Sequence, residues 1–535
     1  YQDIPKERST GSFTKIDNAT LNQQTGTNIL DRLIGVTSGM LFDVNKQDGN
    51  PQNKTKISIR GLSTIHGPMD PLIVVDGFIY EGDIENINPN TIDNVTVLKD
   101  AAAASIWGAR AGNGVIVIST KRGKFNQKLK IDVNANIIVT EKPDFFSLPE
   151  ISSADFIDLE QFLYRNNYFN AALNNKYRVI TPAVSIFQRT KNGELSSSDS
   201  ASLINALKQS DIRNDLHKYI YSNAMIQQYS VNLRGGSANH SYTLGVGYDR
   251  NLSDVQSRSD KLNIKLENIF QPVKNLQILL GVYYTANKGG SGKSGISSLS
   301  MDGRRIPYLR LADDQGNPIS VPTAYRDEYT DTAGAGKLLD WKSYPLEDYK
   351  HNKRKSNAQE IYSIVGINYK INKLFSLDIK YQHQKQQIQT EQIFDIESYQ
   401  ARNTINTYSS INGQTGVVSY GVPFGAILKN TSSSIQSHTG RAQLLFNHSR
   451  GDHEITGILG SEIRQARALG NSNTTYGYNA DPLLYANTDY VTLYRTYVTG
   501  GFQRIPDPPS FSHTLNRFVS LFGNASYTFK NKYSL

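Results

Sequence analysis

Five aromatic residues, Tyr308, Tyr325, Trp341, Tyr344 and Tyr349, share one polar stretch with several Asp and Asn side chains. Rings of this kind stack on the C–H faces of sugars while carboxylates and amides bond the hydroxyls, so the set is a candidate carbohydrate-binding surface. For any single ring the alternative is loop–loop packing or contact with a partner. A second candidate is the segment 62–70, where Ser63, Thr64, His66 and Asp70 surround Gly67-Pro68. It follows an apolar strand and has turn chemistry, which makes it an exposed polar loop able to bond a ligand, or one that is simply solvated.

Three other patterns resemble chemistry and fail on spacing. Gly292-Lys293-Ser294 is like the end of a phosphate-binding loop, but the glycine required five positions earlier is Asn287. Arg450-Gly451-Asp452 resembles an adhesion tripeptide yet falls in a short turn. His448, His453 and Glu454 do not have the spacing of a zinc-binding helix. The chain has no Cys, which excludes thiolate ligands and disulfides. No metal site, cofactor or catalytic motif is expected, and a glycan-cleaving enzyme is the weakest of the functional readings.

The bulk properties narrow the class. The 535 residues include 41 Gly, 31 Tyr and 20 Phe, with 20% charged residues and a mean hydropathy of -0.46. No run approaches the roughly 18 apolar residues that a spanning helix needs. Strands that alternate apolar and polar residues cross a bilayer without such a run, so a β-barrel stays open. The net charge of +9 comes from scattered basic residues, with Lys121, Arg122 and Lys124 the one compact cluster near a motif. That distribution does not suit nucleic acid. The sequence begins at Tyr1 and stops as a new strand pattern begins, and it reads as cut at both ends.

Two regions differ in pattern. Residues 1–124 read as a compact α/β unit with short strands at 55–59, 72–75, 94–98 and 115–120, helical stretches at 28–33 and 101–106, and a hairpin signal at Asp76-Gly77. Trp107 is expected to pack beneath the Ala-rich stretch. From residue 125 onward, segments of about ten residues alternate, as a tilted spanning strand requires. At Leu262, Ile264 and Leu266 one face is apolar, while Asn263, Lys265 and Glu267 make the other polar. About eleven strands are predicted, separated alternately by short turns and by long links at 140–224, 286–358, 385–437 and 465–513. Outer-membrane barrels sort their loops in this way, with short turns on one rim. A closed wall around a plug of such size needs about 22 strands. The expected fold is therefore mainly β: half of a transmembrane antiparallel barrel, with a plug domain at 1–124 inside it. In the first long link, the capping box at Ser152 and Asp155 predicts a helix whose face of Phe156, Leu159, Phe162 and Leu163 packs on the barrel rim.

The motifs Lys56-Ile57-Ser58-Ile59-Arg60-Gly61, Pro71-Leu72-Ile73-Val74-Val75-Asp76-Gly77, the run from Val97 to Gly114 and Val115-Ile116-Val117-Ile118-Ser119-Thr120-Lys121 appear in this order. Together with Gln228-Tyr229-Ser230-Val231-Asn232-Leu233-Arg234-Gly235-Gly236-Ser237, they resemble the SusC/RagA family of TonB-dependent outer-membrane transporters of Bacteroidetes. The resemblance spans about 250 residues, and the rest of the chain agrees in pattern alone. It implies active import of oligosaccharides or peptides across the bacterial outer membrane, driven through the TonB–ExbB–ExbD complex. It also implies a SusD-like surface lipoprotein partner and a dimer of transporter–lipoprotein pairs in outer-membrane lipid. A receptor that senses ligand without bulk transport is the alternative. By the same resemblance Arg60 and the position of Lys99 lock plug to barrel, although Lys in place of Arg loses the bidentate fork. The segment 62–70 would then face the substrate chamber from the plug apex.

Overall fold

The computed structural model describes residues 12–42, 57–59, 61, 70–99, 107, 110–530 and 533–534. Arg60, Ser63, Thr64, His66 and the stretch 101–106 lie outside the described residues.

The N-terminal unit is built on a five-stranded sheet. Its strands β1 (Phe13–Asp17), β4 (Leu72–Val75), β5 (Phe78–Ile79), β6 (Ile92–Leu98) and β7 (Val115–Thr120) lie in the order β1-β6-β7-β4-β5. Strands β2 (Met40–Phe42) and β3 (Ile57–Ile59) form a separate pair. β4 runs parallel to β7, and its four residues are all buried, as expected of a strand covered on both faces. The β4–β5 hairpin turns at Asp76 (φ 49°) and Gly77 (φ 90°), the paired left-handed conformations that the Asp-Gly signal predicts. Asn28 caps the short helix Ile29–Leu33 by accepting from the Asp31 N–H at 2.9 Å. Trp107 is buried with Leu72, Val74, Ile79 and Val115.

A second sheet wraps this unit. Its main strands are β8 (Lys130–Thr140), β9 (Ala224–Gly236), β10 (His240–Leu252), β11 (Arg258–Val273), β12 (Leu276–Gly290), β13 (Asn352–Lys370) and β14 (Phe375–Phe394). After the loop hairpin β15 (Ser409–Ile411) and β16 (Val418–Tyr420) come β17 (Ala426–Arg450) and β18 (His453–Ala480). The short β19 (Leu483–Leu484), β20 (Tyr494–Arg495) and β21 (Phe502–Gln503) precede β22 (Ser510–Phe529) and β23 (Tyr533–Ser534). Each wall strand pairs antiparallel with the next, from β8 to β23, and among the described residues the sheet does not close on itself. All the predicted spanning strands are present.

The faces of this wall are inverted relative to a soluble sheet. Gln382 (0% exposed) and Glu267 (2%) lie on the concave side, while Val133 (71%) and Leu521 (83%) stand on the convex side. Such a surface suits hydrocarbon outside and a filled polar interior. Tyr229, Tyr248, Tyr284 and Tyr381 end the outer apolar band on the long-loop side. On the short-turn side His240 stacks on Phe270 at 4.7 Å, Phe375 meets Phe446 at 5.2 Å and His453 meets Tyr527 at 5.8 Å. The ring of His453 thus belongs to an aromatic girdle. At β22 both faces are exposed, so the alternation of its sequence is not matched by burial.

The strands run longer than the sequence predicts, and the long links are correspondingly shorter: 141–223, 291–351, 395–425 and 481–509. β18 has 28 residues, against the roughly ten that a tilted strand needs to cross hydrocarbon. Beyond the band both faces meet water, so the apolar alternation stops while the backbone ladder continues. Gly235 and Gly236 lie at the end of β9. A Cβ on Gly236 would come within 2.4 Å of the Lys124 carbonyl, because the segment leaving the N-terminal unit crosses the wall there.

The helix Ser153–Arg165 forms with the expected cap, Ser152 Oγ accepting from the Asp155 N–H at 3.0 Å. Its buried residues, however, are Ser153, Ile157 and Glu160, while Leu159 and Phe162 are exposed. The reason is its partner. The helix packs on helices Pro182–Lys191 and Ser197–Gln209 of its own loop, and Glu160 accepts from Tyr308 and Thr181.

The outward band predicts where charge is tolerated. Val282→Arg, on the convex face of β12, should destabilise the folded protein by about 2–4 kcal/mol, whereas Gln389→Arg, beyond the band on β14, should cost under about 1 kcal/mol. Denaturant titration in lipid vesicles measures both, and equal costs would refute this placement of the membrane.

Candidate functional site

The concave wall and the N-terminal unit meet through a buried polar network. Its centre is Asp76, set at the β4–β5 turn by the backbone it caps: the Thr120 N–H and Oγ–H donate to its carboxylate at 3.0 and 2.8 Å. From the wall, Tyr283 on β12 donates to Asp76 Oδ2 at 2.7 Å, and Lys265 on β11 donates to Thr120 Oγ1 and the Lys121 carbonyl, both at 2.6 Å. Arg122 lies between the two bodies, 3.6 Å from Asp76 and 3.3 Å from Glu267 on β11. Burial alone would raise the Asp76 carboxyl, but Arg122, Lys265 and the Tyr283 hydroxyl hold it below the usual carboxylate range.

Two further clusters flank this one. Glu360 on β13 accepts from Tyr80 and Asn86, each at 2.7 Å, and from Gln384 on β14 at 2.8 Å. Burial and that carboxylate push the Tyr80 hydroxyl well above its ordinary value, so it remains a donor. On the other side Arg32 is buried, donating to Asn90 and to Gln228 of β9, both at 3.0 Å. Lys261 of β11 reaches the Thr27 carbonyl at 2.6 Å. Glu81 pairs with both Arg110 and Arg464 of β18. Arg441, beside Glu462, lies over the Phe78 ring at 4.7 Å.

These residues, and not Lys99, join the two bodies among the described residues. Lys99 Nζ donates to Ser38 Oγ, at 3.1 Å, within the N-terminal unit. Sequence reading treated Asp76 as a turn former and Arg122 as part of a basic cluster. The available signal was Lys265 and Glu267, two charges on the polar face of the clearest spanning strand.

The loop aromatics divide. Tyr308 is 1% exposed and donates to Glu160 at 2.6 Å, inside a core shared by the first two long loops. Trp341 is 4% exposed: it meets Tyr325 at 5.0 Å and Tyr497 at 6.0 Å, and its Nε1–H donates to Asn403 at 2.8 Å. One ring thus ties together the loops 291–351, 395–425 and 481–509, and Tyr325 extends the contact to Tyr177 of the first loop. Both residues are committed to packing, which leaves neither with an open ring face. Tyr344, Tyr349 and Asp70 are half-buried. No group of acidic and imidazole side chains able to hold a metal occurs among the described residues.

Trp341→Ala should loosen the loop assembly by about 3–5 kcal/mol, read as faster protease cleavage within 481–509 while the wall stays intact. Asp76 makes a pH prediction with a definite sign. Its folded value is lowered, so its contribution is complete above about pH 4 and is lost as pH falls through the folded value. Protection factors for amide exchange in β4 and β5, taken against the intrinsic rate at each pH, should therefore fall on acidification, and Asp76→Asn should remove that component. An unchanged acid profile in the variant would exclude Asp76 as the titrating centre.

Residues 5–115 match the family model described as TonB-dependent Receptor Plug Domain. The chain is 37% identical over 145 residues to the TonB-dependent receptor SusC of Bacteroides thetaiotaomicron, covering 26% of this chain and 14% of that protein. It is 38% identical over 114 residues to the TonB-dependent receptor P39 of Formosa agariphila, covering 21% and 11%. The fold superimposes on a chain of the RagAB peptide importer in its closed-closed state with a TM-score of 0.68 at 18% identity, covering 97% of this chain and 53% of that one. This chain thus spans about half the length of that solved relative. With a plug-domain match at its N-terminus and a concave, inverted wall around that unit, the chain is similar to SusC over its N-terminal part and shares the fold of the RagAB importer chain.

Proposed function

We propose that the complete protein, with residues 1–124 as plug and 125–535 as the first half of its barrel, imports oligosaccharides or peptides across the outer membrane using energy relayed by TonB–ExbB–ExbD. The supporting observation is the seal itself. Asp76, Glu267, Glu360 and Arg32 are buried between plug and wall in a network of charged hydrogen bonds. Breaking a single buried charge pair costs about 3–5 kcal/mol, so several together hold the channel shut without external work.

The peptide part of this reading is supported by the printed name of RagAB, a peptide importer with the same fold. The lipoprotein partner is part of the same proposal, seated over the loops that Trp341 draws together. Ser63, Thr64, His66 and Asp70, with Tyr344 and Tyr349 in the loops, are the residues proposed to meet substrate. Uptake of labelled oligosaccharides and peptides by cells carrying the full receptor should fall to background with a protonophore. Equal accumulation with and without it would refute active transport. Affinity unchanged by Tyr344→Ala and Asp70→Ala would remove those residues from the site.

A further inference from the structure

We infer that the convex face of β14, β17, β18 and β22 carries a binding site for a phosphate-bearing glycolipid headgroup, just beyond the apolar band; the inference rests on the outer-membrane reading above. The pairing register sets the residues in rows across these strands. One row, Val519–Ile463–Gly440–Tyr381, is apolar and ends the band. The next row outward is Arg517–Gln465–His438–His383, and the one after it is Leu515–Arg467–Gln436–Lys385. His513 follows in the third row, on β22.

Three permanent cations and three imidazoles therefore occupy three successive rows, and no acidic residue shares the outward face of those rows. Hydrogen bonds hold them in place. Arg517 Nε donates to Gln465 Oε1 at 2.9 Å, Arg467 Nε donates to His513 at 3.2 Å, and the Tyr381 hydroxyl lies 2.6 Å from His438 Nδ1. Among the described residues, none of Lys385, Arg467 and Arg517 forms an ion pair. An outward lysine or arginine at this height faces the headgroups of the outer leaflet, where an anionic lipid is the nearest source of opposite charge. Basic residues scattered for solubility alone would be interspersed with acidic ones.

The surface beyond the cations matches the rest of such a headgroup. Two adjoining grooves of about 530 and 480 Å³ open on this face. Asn471, Ser432, Gln389 and Asn430 supply amides and hydroxyls there, and Phe511 supplies an exposed ring. That combination bonds sugar hydroxyls and stacks on a sugar face, while the cations below take the phosphates. Glu391 lies at the outer end of the groove, three rows beyond Lys385 and clear of the phosphate level.

The test uses the full receptor purified in detergent and native mass spectrometry, with three probes: a bisphosphorylated acylated diglucosamine lipid, its dephosphorylated form, and inorganic phosphate. Wild type should retain the phosphorylated lipid, and K385Q/R467Q/R517Q should retain roughly tenfold less or lower still. Arg450→Gln, on the opposite rim, should match wild type, and Arg467→Lys should keep most of the binding. The dephosphorylated lipid should bind both proteins at the lower level. Equal retention by the triple variant, equal binding of the dephosphorylated lipid, or displacement by millimolar inorganic phosphate would each overturn the site. Loss of a dimer in the triple variant with lipid retention unchanged would mark the face as an interface between copies and overturn it too. Recovery of wild type and variant from the outer-membrane fraction, with heat-shifted migration, is read separately. If wild type is absent there, the transporter reading fails; if both are present, a negative lipid result counts against this site alone.

Discussion

Charged and amide side chains on the concave face of the wall lie where no lipid can solvate them, and each must be hydrogen-bonded or its burial is costly. The plug supplies many of those bonds, while the buried amide of Gln382 on β14 makes none among the described residues. Asp76, Thr120, Lys121, Asn86, Tyr80 and Arg32 answer Tyr283, Lys265, Asn263, Glu360 and Gln228 almost one for one. The wall's inverted chemistry and the plug's presence are thus one constraint, since neither surface is satisfied alone. The apolar core of the plug is continuous with the same interface, where Tyr362 of β13 packs on Tyr283 and donates to the Val75 carbonyl at 3.0 Å.

This arrangement gives the interface a polar character. The contacts between plug and wall are mostly charged or polar and span several strands from β9 to β18, so they give a tight seal whose parts are individually exchangeable for water. A purely apolar interface would hold as well but would offer nothing for water to replace as the plug moved. The polar seal also places carboxylates next to cations, with Glu81 between Arg110 and Arg464 and Arg122 between Asp76 and Glu267. Displacing one such group would strand its partner, so the contacts are energetically coupled along the wall.

Outside the membrane a different logic operates. The long loops have apolar cores of their own, one around Ile157, Leu216, Tyr308 and Leu311 and another around Ile405, Tyr408, Val422 and Tyr476. Trp341 links the loops by ring contacts and a single hydrogen bond. The extended hairpin of β17 and β18 carries the wall well past the lipid, so the loop assembly stands on a rigid stalk.

Alternation at 262–267 and the sorting of short turns from long loops were enough to show a spanning antiparallel wall, because lipid on one side and a polar lumen on the other impose a period of two on every strand. The Asp76-Gly77 turn was legible for a similar reason: only a few residue types adopt its left-handed backbone. Strand lengths were not legible, since β17 and β18 continue where both faces are wet and the pattern carries no signal. Nor was the lock. Asp76 and Tyr283 are 207 positions apart and Tyr80 and Glu360 are 280 apart, and no local rule of spacing links such residues. The same holds for Trp341 and Tyr308, which carry the composition of a sugar site yet are taken up by packing. Local backbone preference and burial period are written in neighbouring residues, whereas which buried charge meets which depends on how the wall curves around the plug, and that is decided only by the tertiary structure.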